Sequence, residues 1–259
     1  MEEKESAEKK IGTENRKKLT FVQVLIVFIA LVCCIGLIVF SFIKPDNDPT
    51  KVGVRPNGGT KSGGIPLVLQ DGKQESSNVS AHRVAIDVYL DYMCPYCKEF
   101  EQKNGSELEE LAQKGNADVY IHPMAVLDSA SHGTEYSTRA AEASAYIADN
   151  ARSDWFAFQQ VLFERQPEEM SSGLTDHELA EAAREAGVSD AVAEALPANI
   201  ASYGKWVKAA TRQGIEDVGG HIPQTYFKIS GDTFKWNDWN KQGIDKALDS
   251  FIGKHGSAM

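Results

Sequence analysis

The chain has 259 residues, of which 42% are apolar and 25% charged, and a formal net charge of −10. This is ordinary globular composition, and it excludes disordered, collagen-like and multi-span membrane classes. The acidic balance argues against binding nucleic acid through its phosphates, and four cysteines are too few for a disulfide-stapled scaffold.

Phe21 to Ile43 form an apolar run broken only by Gln23, Gly36 and Ser41. As a helix it would be about 34 Å long at ~1.5 Å per residue, enough to cross a ~30 Å hydrocarbon core. A cleaved signal peptide is the competing reading, but the run exceeds the usual apolar region and no small-x-small site follows it. The segment is read as a retained transmembrane helix over 21–43, with Cys33 and Cys34 as small apolar residues inside it. Arg16, Lys17 and Lys18 precede the span, whereas Lys44 is diluted by Asp46 and Asp48. The positive-inside bias then makes 1–20 a cytoplasmic tail and puts everything after the span outside the membrane. Residues 44–64 are rich in Pro, Gly, Asn, Asp, Lys and Thr and read as a flexible linker. One domain is expected over 65–259.

Ile65 to Gln70 is a short strand candidate, and Arg83 to Leu90, rich in Val, Ile and Tyr, reads as a buried strand. Asp91-Tyr92-Met93-Cys94-Pro95-Tyr96-Cys97 follows at once and leads into a helical stretch. Asp118 to Met124 reads as a third strand, which makes a βαβ unit with a parallel pair. From about 128 to 217 the periodicity is helical, with Tyr136, Ala140, Ala143 and Ile147 on one face. Thr175 and Glu178 form a capping box, and Gly187 suits the residue after that helix. Gln224 to Ile229, a turn at 230–232, Thr233 to Lys235 and a helix from about Asp238 to Phe251 complete a β, βαβ, helical insert, ββα order. The fold class is α/β, a mixed sheet flanked by helices.

A strand feeding directly into Cys94-Pro95-Tyr96-Cys97 puts Cys94 at the first exposed turn of a helix. Unpaired N–H groups and the positive end of the helix dipole favour thiolate there, so its pKa should fall well below ~8.5. Pro95 suits the first helical position, where its missing N–H costs nothing. Cys97 shares the helix face with Cys94 and can close a disulfide with it. Cys94 is then the attacking or attacked sulfur and Cys97 the resolving one. A structural zinc site needs four ligands, which His122 or His221 could complete only by coincidence of fold. A purely structural disulfide closing so small a loop would stabilise little. No metal or cofactor is expected.

The sequence resembles the DsbA-like branch of thioredoxin-fold thiol–disulfide oxidoreductases from about Ile65 to Phe251. The resemblance rests on residues 91–98, the helical block between Tyr136 and Gly214, and Gly220-His221-Ile222-Pro223-Gln224-Thr225-Tyr226-Phe227. It implies a cis bond at Ile222-Pro223 facing the cysteines, where the backbone of Ile222 meets an incoming polypeptide. It also implies two further roles: reduced exported polypeptides as substrates, and a quinone-linked membrane reoxidase of the DsbB or vitamin K epoxide reductase type. Two departures stand out. Val88 occupies the position where the family often has a buried acid, leaving Asp87, Asp91 or water as proton acceptor for Cys97. The pair between the cysteines is Pro-Tyr rather than Pro-His, which removes an imidazolium and implies a milder oxidant. His221, close to Pro223, is a candidate modulator of the thiolate. Two alternatives to an oxidase are a membrane-tethered reductase or isomerase, and a binding or assembly module with vestigial thiols.

Overall fold

The computed structural model describes residues 48–69 and 83–255. The expected span at 21–43, with its cytoplasmic tail and Cys33 and Cys34, lies outside the described residues. Among those described, no helix is long and apolar enough to cross a membrane.

Among the described residues five strands form one mixed sheet: β1 (Ile65–Pro66), β2 (Val84–Leu90), β3 (Ala117–Pro123), β4 (Gln224–Ile229) and β5 (Asp232–Trp236). Their order is β1-β3-β2-β4-β5. β2 runs parallel to β3 and antiparallel to β4, with Val88 opposite Ile121 and Thr225. Every residue of β2 is buried, because helices cover both faces of the sheet at its centre. The crossover from β2 to β3 is α1 (Pro95–Gln113). The first strand is shorter than the sequence pattern predicts, only Ile65–Pro66, although the Leu67 N–H still reaches the Val119 carbonyl of β3 at 2.8 Å.

Between β3 and β4 the chain is helical, through α2 (Tyr136–Asn150), α3 (Arg152–Glu164), α4 (Asp176–Glu185), α5 (Asp190–Asn199) and α6 (Gly204–Val218). The Thr175–Glu178 capping box opens α4, and Gly187 lies beyond its end at φ +91°. The last helix, α7 (Ile244–His255), starts about six residues later than periodicity suggests. Residues 238–243 instead turn back on the Asp238 carbonyl, and Glu107 of α1 accepts the Ile244 N–H at 2.9 Å. A neighbouring helix thus supplies the cap that α7's own sequence lacks.

The linker expectation needs correction. From residue 48 onward the segment is laid against the domain. Pro49 and Pro56 are buried, Asn57 donates its N–H to Asp149, and Arg152 donates to the carbonyls of Asn57 and Pro66 at 2.7 and 2.6 Å. Gly63, at φ +79°, passes so close to α6 that a Cβ there would come within 2.6 Å of Ala210. The glycines and prolines serve close approach here, not freedom.

Candidate active site

β2 ends at Leu90 and the chain turns through Asp91, whose carbonyl accepts the Cys94 N–H at 3.1 Å. Cys94 is the N-cap residue of α1 with extended dihedrals (φ −77°, ψ 118°), and Pro95 takes the first helical position. Both cysteines are reduced. Cys94 is less exposed than the sequence suggested, at 5% of its surface, and Cys97 is fully enclosed. Pro95 and Tyr96, between the two cysteines, are exposed, the latter at 66%.

The two sulfurs differ sharply. The Cys97 thiol donates to Cys94, and the N–H groups of Cys97 and Tyr96 add to that, outweighing burial and the charge of Asp91. Cys94 is therefore held below the ordinary thiol value. Burial, followed by the hydrogen bond to Cys94 and that thiolate's charge, pushes Cys97 well above it. This is the split that an attacking and a resolving sulfur require: one biased towards thiolate, the other a protonated reserve. Alkylation of the reduced protein by iodoacetamide should therefore modify Cys94 first, with a pH midpoint below that of an ordinary cysteine, and leave Cys97 unmodified throughout that range. Equal reactivity of the two thiols would refute the split.

The carboxylates sort by geometry. Asp91 is buried, and four donors point at it. Oδ1 accepts from Met93 N–H and Ser137 Oγ at 2.8 and 2.7 Å, and Oδ2 from Val126 and Leu127 N–H at 2.9 and 3.0 Å. Its own N–H points at Cys97 Sγ, 3.4 Å away. Asp87 lies elsewhere. His122 Nε2 is 2.7 Å from its Oδ1 and Lys228 Nζ 2.8 Å from its Oδ2. Burial alone would raise Asp87, but the His122 hydrogen bond and the Lys228 charge outweigh it and leave it below the usual carboxylate value. His122 Nδ1 meets the Ser62 carbonyl, so this cluster ties β2, β3 and β4 to the packed N-terminal segment. Neither carboxylate has a hydrogen bond to the Cys97 thiol, whose proton is directed at Cys94.

At the sheet end shared with Cys94, the Ile222–Pro223 bond is cis and leads into β4, whose Gln224 pairs with Tyr89. Ile222 is partly buried against the core cluster that includes Cys94. His221 is exposed, and no hydrogen bond joins it to either thiol among the described residues.

Sequence reasoning missed the grip of the helical insert on this turn. Gln166, just past α3, donates both protons of its amide to the carbonyls of Tyr92 and Cys94, each at 3.0 Å. Tyr92 sends its hydroxyl to Ser144 of α2 at 2.7 Å, and Trp155 of α3 donates to the same oxygen. Ser137 and Ser144 stand two helical turns apart on a face otherwise apolar, and that polar interruption was the available signal. Glu101, one turn beyond Cys97 on α1, is likewise buried, with Gln159 donating to its Oε2 at 3.1 Å.

A family model described as Thioredoxin matches residues 79–225. The chain belongs to the thioredoxin family. Two solved members of similar sequence come from Mycobacterium tuberculosis. The reduced disulfide bond oxidoreductase DsbG is 28% identical, with a TM-score of 0.52 over 67% of this chain and 81% of that one. Reduced DsbA is 29% identical, with a TM-score of 0.52 over 67% and 85%. MdbA, a thiol-disulfide oxidoreductase from Actinomyces oris, shares the fold at 21% identity and a TM-score of 0.60, over 79% and 91%. The serine/threonine-protein kinase PknE of M. tuberculosis is 30% identical over 174 residues, which is 66% of this chain but 29% of the kinase. The chain thus spans under a third of the length of the curated relatives it matches. Within the thioredoxin family, its structural likeness is to the DsbA and DsbG type.

Proposed function

We propose that the protein is a thiol–disulfide oxidoreductase that introduces disulfides into exported polypeptides, anchored by residues 21–43 with its tail in the cytoplasm and its domain outside the membrane. The observation that carries this reading is the pair of reduced cysteines at the start of α1, one favoured as thiolate and the other held protonated. The likeness to DsbA and DsbG of M. tuberculosis supports the same chemistry.

In the oxidised protein a substrate thiolate attacks Cys94 of the Cys94–Cys97 disulfide, and Cys97 leaves and takes up a proton. A second substrate thiolate then attacks the substrate sulfur of the mixed disulfide and expels Cys94 as a thiolate, which the site is built to hold. Two substrate thiols have become a disulfide, and the protein has become a dithiol. Its reoxidation needs an electron acceptor, for which a quinone-linked membrane partner of the DsbB or vitamin K epoxide reductase type is the proposed class. Ile222, beside the cis bond, offers backbone to the bound polypeptide.

The test is oxidative refolding of a reduced, disulfide-dependent protein by the full chain. Recovery of activity should be faster with the wild type than with Cys94→Ala, and equal rates would overturn the proposal. Direction is tested by acid-quenching cells and alkylating free thiols. An oxidase is found mainly as the disulfide, and a mainly reduced pair would favour the reductase or isomerase reading.

A further inference from the structure

The segment between β2 and α1 carries a buried carboxylate held by neutral donors alone. Asp91 is fully buried, and its four donors are three backbone amides and the Ser137 hydroxyl, all of them neutral. No ion pair reaches it among the described residues. These donors fix the carboxylate in place and satisfy its lone pairs without cancelling its charge. Its backbone meanwhile touches both cysteines: the N–H faces Cys97 Sγ at 3.4 Å, and the carbonyl holds the Cys94 N–H at 3.1 Å. Met93, whose N–H binds Oδ1, immediately precedes Cys94. The titratable groups facing this carboxylate are Cys94 and Tyr92 from its own segment, Cys97 from α1 and Tyr136 from α2. The charges of Arg139 and Arg165 act on Tyr136.

This inference rests on reading Cys94 and Cys97 as a working redox pair. We propose that Asp91 is an electrostatic brake on that pair, a fixed buried anion that opposes thiolate formation at Cys94 and so holds the couple nearer its disulfide. The N-terminus of α1 and the Cys97 thiol pull the reduced form towards the thiolate, and Asp91 pulls against them. Its charge raises both thiols. Asp91 itself is pushed up to about 6 by burial, against its four hydrogen bonds. As pH falls through that value the carboxyl gains a proton and the anion beside Cys94 disappears. The thiolate form then gains on the disulfide, and the couple becomes more oxidising in mild acid than ordinary thiol titration alone would make it.

Coupling of this kind is reciprocal, so it can be read on the wild-type protein. Carboxyl ¹³C NMR of the full chain should show Asp91 holding its proton about tenfold more tightly in the reduced than in the oxidised protein, the effect of one close like charge. Identical Asp91 titrations in the two redox states would overturn the proposal. In glutathione buffers at neutral pH, Asp91→Asn should shift the equilibrium about tenfold towards the dithiol and lower the pH midpoint of Cys94 alkylation by about one unit. An unchanged equilibrium in a folded variant would likewise overturn it. If the variant fails to fold for want of two hydrogen bonds, the NMR arm on the wild type still decides. A wild-type protein that forms no Cys94–Cys97 disulfide in glutathione would defeat the oxidoreductase reading itself, which separates that failure from failure of the brake alone.

Discussion

Cys97→Ala should turn the protein from a catalyst into a trap. Offered a disulfide-bonded substrate, the Cys94 thiolate opens that bond, joining one substrate sulfur while the other leaves as a thiol; with no Cys97 the mixed disulfide has no internal route of release. Non-reducing electrophoresis and mass spectrometry should show it accumulating through Cys94. Cys94→Ala, by contrast, should form no adduct, and its turnover should fall on the order of 10³-fold or more, as removal of a covalent nucleophile does elsewhere. The two variants are not mirror images, because the Cys97 thiol is also the largest cause of the lowered Cys94 value. In Cys97→Ala the remaining thiol should therefore titrate nearer to an ordinary cysteine, and its alkylation at neutral pH should slow. Turnover by Cys97→Ala at the wild-type rate, with no adduct, would sink the assignment of roles.

The second large effect concerns stability. Glu101 is buried under the active-site end of α1, and burial pushes it up to about 7. Its Oε1 has no hydrogen-bond partner among the described residues, and its carboxylate occupies the space where a Cβ on Gly105 would stand, 2.4 Å away. The folded value is above the unfolded one of about 4.5, so the folded protein binds a proton that the unfolded chain releases earlier. The stability this contributes is full below about 4.5 and is lost as pH rises to about 7. Above that range the buried carboxylate costs on the order of 3 kcal/mol as an upper limit. Glu101→Gln keeps the shape and the bond from Gln159 while removing the charge. Its melting temperature at pH 8 should exceed that of the wild type by up to roughly 10 °C, given ~2–4 °C per kcal/mol at this size. At pH 4.5 the two should nearly coincide. A gap of the same size at both pH values would show that ionisation is not the cause.

What the sequence showed clearly was everything governed by neighbours along the chain. The buried β2, the crossover helix, Cys94 at its N-cap, Pro95 inside it and the Thr175–Glu178 capping box all follow from spacing and local chemistry. Contacts between distant segments were not visible there. Gln166 reaches Cys94 across 72 positions, and Asp87 meets His122 across 35. Residues 48–64 were misread for a related reason. A stretch of Gly, Pro and small polar side chains carries no apolar periodicity, whether it is free or pressed against a surface. Only the nearness of Ala210 to Gly63 shows that the missing side chain makes room for packing. The carboxylates were ambiguous because Asp87 and Asp91 differ in what surrounds them, which the chain order does not encode.

Gln166 has a consequence for engineering. One amide spans the carbonyls of Tyr92 and Cys94, so the geometry of the reactive turn is shared with a segment that lies beyond β3 and two helices of the insert. Grafting the tetrapeptide 94–97 onto another scaffold of the same fold would transplant the sulfurs without their bracket. A chimera that imports residues 128–175 together with the tetrapeptide is a larger change that carries the Gln166 bracket along with the sulfurs.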